Sequence, residues 1–381
     1  MQRLLGYFLL PAMLLFTSLY ADAQEKLGTK SRPIRLGVML PLHENNGEGQ
    51  QMLEYYRGVL MACDSLKKVG LSVEVSAWNV TETTIVSKVL DKAKSAHLDL
   101  LIGPFYSNKV QPLSDYAAKN DVMLVLPFPV TATEENSNRH IFQIFQTPAD
   151  QNAIVIQNAS KWFKGYHPII IDCADSESTK GSFTSGLREM FKNNDVKYSL
   201  TSLTSPDNKF VKAFEKDKQN VVILNSARQT CLMAAIDKLN MVKKERPTAQ
   251  ISMLGYEEWM AYVSSMEKKF HEFDVYVPST FYTNVFSDIT KRLNLKYQWN
   301  FHKKMLPVSP RLALCGFDHA FFFLKGLSKY GKTFDGAEGR FGYSSVQTPL
   351  SFVHVTGGGY KNNASMFVHY KPTGQVETIK Y

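Results

Sequence analysis

The sequence has few of the residue patterns that build catalytic or metal centres. Its nine histidines are spread singly along the chain, and its four cysteines include no C-x-x-C pair. No G-x-S-x-G, H-E-x-x-H or P-loop motif occurs. These absences leave catalysis without support. We therefore expect a protein that is not an enzyme and that holds no metal and no other cofactor.

Cysteine is scarce for a chain of 381 residues. The four cysteines permit three disulfide pairings, and most of them lie among apolar residues of predicted helices or strands. We favour buried free thiols, although an oxidising compartment would permit disulfides. The residues concerned are Cys63, Cys173, Cys231 and Cys315.

Long apolar runs are absent after the first residues. The run 4–19 follows a basic residue, and Ala21-Asp22-Ala23 supplies the small residues of a signal peptidase site. We predict a secretory signal peptide over residues 1–23, cleaved after Ala23. A membrane anchor is the alternative, but the run is short and contains Pro11. The mature chain is then expected outside the cytoplasm, without a membrane span.

The formal net charge is +9, but the lysines are scattered in short clusters. Nucleic-acid binding would need a concentrated basic face with interleaved aromatic residues, so we expect no nucleic-acid partner. A solvated surface is the favoured interpretation. Weak attraction to anionic cell-wall polymers or lipid surfaces is an open alternative.

Apolar runs and helical patterns alternate along most of the remaining chain. The stretch 98–129 reads as strand, turn, helix and strand, with apolar runs that end at Gly103-Pro104 and at Pro127. Similar alternation begins at Ile34 and resumes at Pro168. Such alternation is typical of parallel sheets with helices on both faces. We therefore predict an α/β fold of two doubly wound parallel-sheet lobes.

The carboxyl-terminal part departs from this alternation. Two helical patterns, 289–304 and 315–330, precede the strand-like runs SFVHV and MFVHY, and glycine and asparagine turn signals lie between those runs. We predict that the two runs belong to a hairpin-like cap rather than to a third domain.

Parallel sheets bind ligands beyond the carboxyl ends of their strands. Ser107 follows the third predicted strand, and the segment 128–131 follows the fourth. We therefore expect a small molecule to bind near these residues.

Short motifs along the chain resemble those of the type 1 periplasmic binding proteins, the fold of the leucine/isoleucine/valine-binding proteins. The resemblance covers about residues 34–381 and is closest to Bacteroidota members that often carry LysM repeats. The motifs are Ile34-Arg-Leu-Gly-Val38, Leu101-Ile-Gly-Pro-Phe-Tyr-Ser107, Val125-Leu-Pro127, Leu254-Gly-Tyr-Glu257, Gly316-Phe-Asp-His-Ala320 and, for the closer resemblance, segments 255–259, 280–284, 323–331 and 347–348.

The resemblance implies two lobes joined by three crossovers, a ligand in the cleft between them and a periplasmic location. Hinge closure would trap the ligand. A flexible leader, 24–31, would precede the lobes. The amino-terminal lobe (N-lobe) would comprise 32–145 and 279–340, and the carboxyl-terminal lobe (C-lobe) 146–278 and 341–381.

The resemblance also implies ligand contacts. Ser107 matches the serine that holds a ligand carboxylate, although it could equally cap the following helix. In amino-acid-binding members a second hydroxyl, after the fourth strand, also holds the ligand carboxylate. In this chain Val130 stands near that place and Thr131 follows one residue later, so the usual pair of hydroxyls is broken. Glu257 matches the acid that takes a ligand ammonium, and a helix-start acid beside Glu258 is the alternative.

Further candidates lie near predicted strand ends. Asn79 follows the second strand and would orient cleft loops. Five aromatic residues could line the cleft, although aromatic residues at such places are as often part of the core. They are Tyr106, Phe128, Tyr256, Trp259 and Tyr282.

Two functions fit these patterns. The first is a secreted solute-binding protein that captures a small polar ligand, either amino acid-like or a cell-wall fragment, with a membrane transporter as partner. The second is a non-transporting envelope protein that binds a partner in peptidoglycan synthesis or remodelling, since activators of penicillin-binding proteins also use the type 1 fold.

Overall fold

The structure is a computed structural model that describes residues 26–133, 137–337 and 341–381. The predicted signal peptide, residues 1–23, lies outside the described residues. Within them, the chain forms two seven-stranded sheets, each flanked by helices. Most neighbouring strands in each sheet are parallel. This arrangement confirms the predicted α/β fold of two lobes.

Short buried runs of aliphatic residues form most of the strands, and longer segments with one buried face form the helices. The strands are β1 (Ile34–Leu40), β2 (Val73–Asn79), β3 (Leu100–Ile102), β4 (Met123–Leu126), β5 (Ile141–Gln143), β6 (His167–Asp172), β7 (Ser199–Ser202), β8 (Gln219–Leu224), β9 (Gln250–Leu254), β10 (Val275–Ser279), β11 (Phe352–His354), β12 (Tyr360–Asn362), β13 (Met366–Tyr370) and β14 (Val376–Lys380). The helices are α1 (Gly47–Lys67), α2 (Val86–Ser95), α3 (Val110–Asn120), α4 (Pro148–Trp162), α5 (Gly181–Asn193), α6 (Asp207–Lys212), α7 (Gln229–Glu245), α8 (Val263–Glu272), α9 (Asp288–Phe301) and α10 (Leu312–Tyr330).

The two sheets have related strand orders. The N-lobe sheet runs β11-β12-β5-β4-β3-β1-β2, and the C-lobe sheet runs β14-β13-β10-β9-β8-β6-β7. In each sheet the first strand of the lobe sits second from one edge, so both lobes are doubly wound around it. The sheets differ at the opposite edge, where β12 is parallel to β5 but β13 is antiparallel to β10.

The predicted cap and the predicted lobe boundary at residue 341 both need correction. The runs SFVHV and MFVHY do not pair with each other. β11 and β12 form a hairpin that extends the N-lobe sheet, while β13 and β14 form a hairpin that extends the C-lobe sheet. The segment that contains β11 and β12 therefore belongs to the N-lobe. Each hairpin covers an otherwise open edge of its sheet.

The N-lobe contains a helix pair packed backbone against backbone. A Cβ atom on Gly58 of α1 would lie 1.9 Å from the carbonyl oxygen of Ala313, and one on Gly316 of α10 would lie 2.0 Å from that of Tyr55. Only glycine permits this approach at either position. The pair places α10, which is almost wholly apolar, in the core of the lobe.

The chain crosses between the lobes three times, between β5 and α4, between β10 and α9, and between β12 and β13. The crossovers are bonded to one another. The Gln146 side chain donates to the Ala364 carbonyl at 2.8 Å, and the Ser365 hydroxyl donates to the Ser279 carbonyl at 3.2 Å. The three connections therefore form one joint between the lobes.

All four cysteines are free thiols, of which Cys315 is buried and the others are half-buried. Burial raises the pKa of the thiols of Cys63, Cys173 and Cys315 to about 12. Groups with such a pKa stay protonated at neutral pH and are poor nucleophiles.

Candidate functional site

The carboxyl ends of the parallel strands face the joint in both lobes. The first crossover leaves the N-lobe from the end of β5, and the second leaves the C-lobe from the end of β10. Since neighbouring strands are parallel, the ends of β3, β4, β8 and β9 lie on the same side. Most of the predicted site residues follow β3, β4 or β9, so the topology brings them to the edges of the interlobe cleft, while Asn79 ends β2 and Tyr282 follows β10.

The N-lobe edge of the cleft is formed by the turns after β3 and β4. Gly103 begins the first turn with a φ of +132°, and a Cβ atom there would lie 2.3 Å from the Met39 carbonyl oxygen. The exposed hydroxyl of Ser107 then accepts a hydrogen bond from the backbone N–H of Thr131 at 2.8 Å. Ser107 makes no side-chain cap to the following helix. The predicted capping role is thus wrong, and the hydroxyl instead joins the two turns.

Two predicted contacts in the second turn point into the protein. Val130 is buried in the cluster between the sheet and α2 and α3. Phe128 is buried against the ring of Tyr55, with ring centroids 5.0 Å apart. Packing therefore accounts for both side chains, because apolar groups at these places complete the two faces of the sheet. Of the segment 128–131, Pro129 and Thr131 are exposed.

Tyr106 and Asn79 connect neighbouring loops at the same edge. Burial and a hydrogen bond to the Glu48 carboxylate raise the pKa of Tyr106 to about 12. The Asn79 side chain accepts from the backbone N–H of Leu42 at 2.8 Å, which joins the ends of β1 and β2. Asn79 therefore positions a cleft loop, as its place in the sequence suggests.

Glu257 marks the C-lobe edge. It opens a 3₁₀ helix, Glu257–Tyr262, just after β9. Its Oε2 atom accepts hydrogen bonds from the Ser279 hydroxyl at 3.2 Å and from the Thr280 backbone N–H at 3.1 Å. Oε1 has no donor among the described residues, and the side chain is half-buried. One oxygen of Glu257 thus holds the second crossover.

The neighbouring aromatic residue has a structural position. Tyr256 is buried, and its hydroxyl donates to the Leu224 carbonyl at the end of β8. Burial raises the pKa of this phenol far above its usual range. Lys180 covers the ring at 4.9 Å and pairs with Glu258 at 2.5 Å. Tyr256 therefore packs in the core of the C-lobe, as the alternative interpretation of the aromatic residues predicted.

Sequence reasoning missed a charged cluster at the ends of β6 and β8. Asp175 accepts from the Ser226 hydroxyl at 2.7 Å and from Arg228 at 3.2 Å, and Arg228 also pairs with Glu177 at 2.9 Å. The Ser226 hydroxyl, and after it the Glu177 backbone N–H and Arg228, hold the pKa of Asp175 below its usual range. The strand-end rule that selected Ser107 applies equally to these residues, because both strands were predicted.

Tyr282 lies in the second crossover, apart from the turns described above. Its backbone N–H donates to the Gln347 carbonyl at 3.0 Å, and burial raises the pKa of its phenol. It lines an open cavity of about 380 Å³ with Asn284, Met366 and Glu377. This cavity sits at the joint and holds no other predicted site residue.

Asp318 has a structural role in the N-lobe. Its buried carboxylate accepts three backbone N–H bonds of 2.8 Å, from Val346, Gln347 and Thr348. The Tyr343 hydroxyl also donates to it at 2.7 Å. Burial raises the pKa of the carboxyl, and the hydrogen bonds oppose this effect. The segment that leads to β11 is thereby fixed to α10.

The assembled edges can bind a small polar molecule but contain no metal centre. No group of three His, Cys, Asp or Glu side chains suited to a metal ion occurs in the described ranges. No helix there is both long and apolar enough to cross a membrane. The N-lobe edge carries the Ser107 hydroxyl and the C-lobe edge carries the Glu257 carboxylate, and groups of these two kinds suit a solute with an anionic and a cationic end.

Comparison with known proteins identifies the fold. No protein-family model and no curated protein matches the chain. The chain is similar to the crystal structure of a candidate branched-chain amino acid ABC transporter from Rhodospirillum rubrum, with a TM-score of 0.54, 14% identity, and 91% of this chain and 100% of the other covered.

It is also similar to full-length LpoA from Haemophilus influenzae, with a TM-score of 0.53 and 11% identity. This match covers 92% of this chain but only 59% of LpoA. At such identities the likeness concerns the fold alone. The chain therefore has the two-lobed fold of the type 1 periplasmic binding proteins.

Proposed function

We propose that the chain is a solute-binding protein whose interlobe cleft captures a small polar ligand with a cationic group, either amino acid-like or a cell-wall fragment. The observation that carries this proposal is the second carboxylate oxygen of Glu257, which has no donor among the described residues. A ligand ammonium would supply one, and a charge-assisted hydrogen bond in a closed cleft is strong.

Ligand capture would join the two edges of the cleft. Ser107 and Thr131 would meet the anionic end of the ligand on the N-lobe, and Glu257 would meet the cationic end on the C-lobe. Because the lobes are connected only through three crossovers, small changes in those segments would open or close the cleft. A periplasmic location and a membrane transporter as partner complete this proposal.

The test is a thermal-shift screen of the purified protein against amino acids, short peptides and muropeptide fragments. A ligand at 100 times its dissociation constant should stabilise the protein by about 2.7 kcal/mol. For a chain of this size the midpoint should rise by about 2–4 °C. The shift should vanish in Glu257→Gln and persist in Glu258→Gln, the adjacent carboxylate that pairs with Lys180.

Two results would contradict the proposal. A shift that persists in Glu257→Gln would show that the ligand makes no essential ammonium contact with Glu257 and binds in a different pose. No shift across the whole panel would reject capture of these solute classes.

The similarity to LpoA favours a second function. LpoA shares the fold, and in this chain Val130 is buried where amino-acid binders place a hydroxyl, while the Ser107 hydroxyl already serves Thr131. These features suit an envelope protein that binds a partner in peptidoglycan synthesis or remodelling. Capture of a peptidoglycan enzyme from envelope extract, together with a silent solute screen, would favour this function over the first.

A further inference from the structure

Helix α9 and the turn before it expose an unusual number of large apolar side chains. Trp299 is 83% exposed, Phe286 is 81% exposed and Leu295 is 66% exposed. Single exposed apolar residues need no explanation, but three along one element indicate a contact surface.

The geometry of the helix separates these residues from the core. Leu293 and Tyr297 form the buried side of α9, and Lys296 bonds Asp64 of α1 at 2.6 Å. Leu295 and Trp299 are four residues apart, so they lie one turn apart on a common outward face. Packing within the lobe therefore does not use that face.

Positive charge surrounds the outward apolar residues. Lys291 and Arg292 are exposed on the same side of the helix and form no ion pair with the described residues. Lys303 and Lys304 follow the end of the helix, and Lys303 pairs with Glu44 at 2.8 Å. The face thus combines an aromatic and an aliphatic group with two cations that form no ion pair with the described residues, and the exposed Asp288 adds a carboxylate at the start of the helix.

We propose that this surface, defined by Phe286, Lys291, Arg292, Leu295 and Trp299 and called the α9 face, docks on a bilayer surface that contains anionic phospholipid. Tryptophan prefers the boundary between headgroups and acyl chains. Lysine and arginine close to it attract anionic headgroups, while their stems lie along apolar surface.

Other occupants fit the α9 face less well. Protein interfaces are depleted in lysine, whereas lysine is the commonest cation around this helix. A symmetric dimer through the face would bring Lys291 and Arg292 of two copies together, and like charges repel. The formal net charge of +9 adds to that repulsion and favours an anionic surface.

The test is co-sedimentation of the purified protein with vesicles of phosphatidylcholine alone or mixed with phosphatidylglycerol. We expect binding to the mixed vesicles only. Lys291→Gln/Arg292→Gln should weaken the partition constant about 30-fold, and Leu295→Ala/Trp299→Ala should weaken it about tenfold or more. Arg188→Gln/Lys192→Gln on α5 removes the same charge from two exposed residues of the other lobe and should change little.

Three outcomes would overturn the proposal. The first is no binding to anionic vesicles at low salt. The second is an equal loss of binding in the α5 control, which would indicate net charge rather than the α9 face. The third is binding of soluble poly-glutamate that competes fully with vesicles and needs Trp299, which would indicate an acidic macromolecule instead.

Discussion

The two lobes share a strand order but place their charges differently. In the N-lobe, Glu54, Asp318 and His319 are buried, while the turns at its cleft edge present hydroxyl and backbone groups. In the C-lobe, carboxylates and cations such as Asp175 and Arg228 gather at the cleft edge. In our proposal the N-lobe is a stiff platform and the C-lobe supplies the charge that selects a ligand.

The stiffness that we propose for the N-lobe comes from its buried polar groups. A buried carboxylate is tolerated only when hydrogen bonds satisfy it, so each of its partners becomes fixed. Asp318 fixes three consecutive backbone N–H groups, whereas Asp175 binds a hydroxyl and a half-exposed guanidinium. Stability should therefore depend on the first carboxylate and recognition on charges like the second.

Asp318→Ala should have the largest effect on stability. It leaves three backbone donors, two of them buried, without an acceptor, and the expected loss is about 4 kcal/mol of unfolding free energy. Asp175→Ala is the matched control at the cleft edge and should cost much less. Urea unfolding of both variants measures the difference. Equal losses would remove the distinction between the lobes.

Gly316→Ala should cause the next largest loss of unfolding free energy. Its Cβ atom would meet the backbone of Tyr55 at 2.0 Å, so α1 and α10 must separate at a cost of about 3 kcal/mol. In the C-lobe, Gly186→Ala would meet only the flexible tip of Ile156 at 2.7 Å. The control should therefore lose little. Similar midpoints for both variants in urea would contradict the backbone packing of the N-lobe helices.

The pH dependence of the unfolding free energy should also differ between His319 of the N-lobe and Asp175 of the C-lobe. Burial lowers the pKa of His319 to about 3, so the unfolded chain binds its proton more tightly than the folded chain does. Stability is then full above a pH of about 6.5 and decreases as the pH falls, by about 2 kcal/mol between pH 7 and pH 5. The stability that Asp175 contributes through its lowered pKa is present above the usual carboxyl pKa and is lost only as the pH falls below it.

His319→Gln keeps an acceptor for Tyr55, whose hydroxyl lies 3.0 Å from Nδ1, and should flatten this profile. Comparing the variant with the parent isolates His319 from Asp318, whose raised pKa acts in the opposite sense. Urea titrations at pH 7, 6 and 5 measure the effect. A variant with the same slope as the parent would show that another group carries the pH dependence.

Local patterns predicted most of the fold. The apolar run before Pro127 forms β4, as predicted. Helix α4 begins at Pro148, and the Thr147 side chain caps it. By contrast, β12 has three residues and no apolar run, and it forms through distant pairing with β5. Helix α8 was missed because only Met266 and Phe270 of its ten residues are buried.

The site was predicted less completely. The strand-end rule selected Ser107, and the family resemblance selected Ser107 and Glu257, but neither says which side chains point inward. Val130 and Phe128 turned into the core because the second turn must close both faces of the sheet. Nor did the sequence reveal that Glu257 would hold Thr280, since that bond joins segments that only the crossover brings together.

The division of roles between the lobes is tested most directly by calorimetry with the ligand that the thermal-shift screen identifies. Glu257→Gln should weaken binding by about 2–3 kcal/mol, since it removes a charge-assisted hydrogen bond. Ser107→Ala should cost about 1 kcal/mol or less, because a neutral hydrogen bond is worth that amount. Equal losses, or a larger loss for Ser107→Ala, would contradict the claim that the C-lobe supplies the selecting charge.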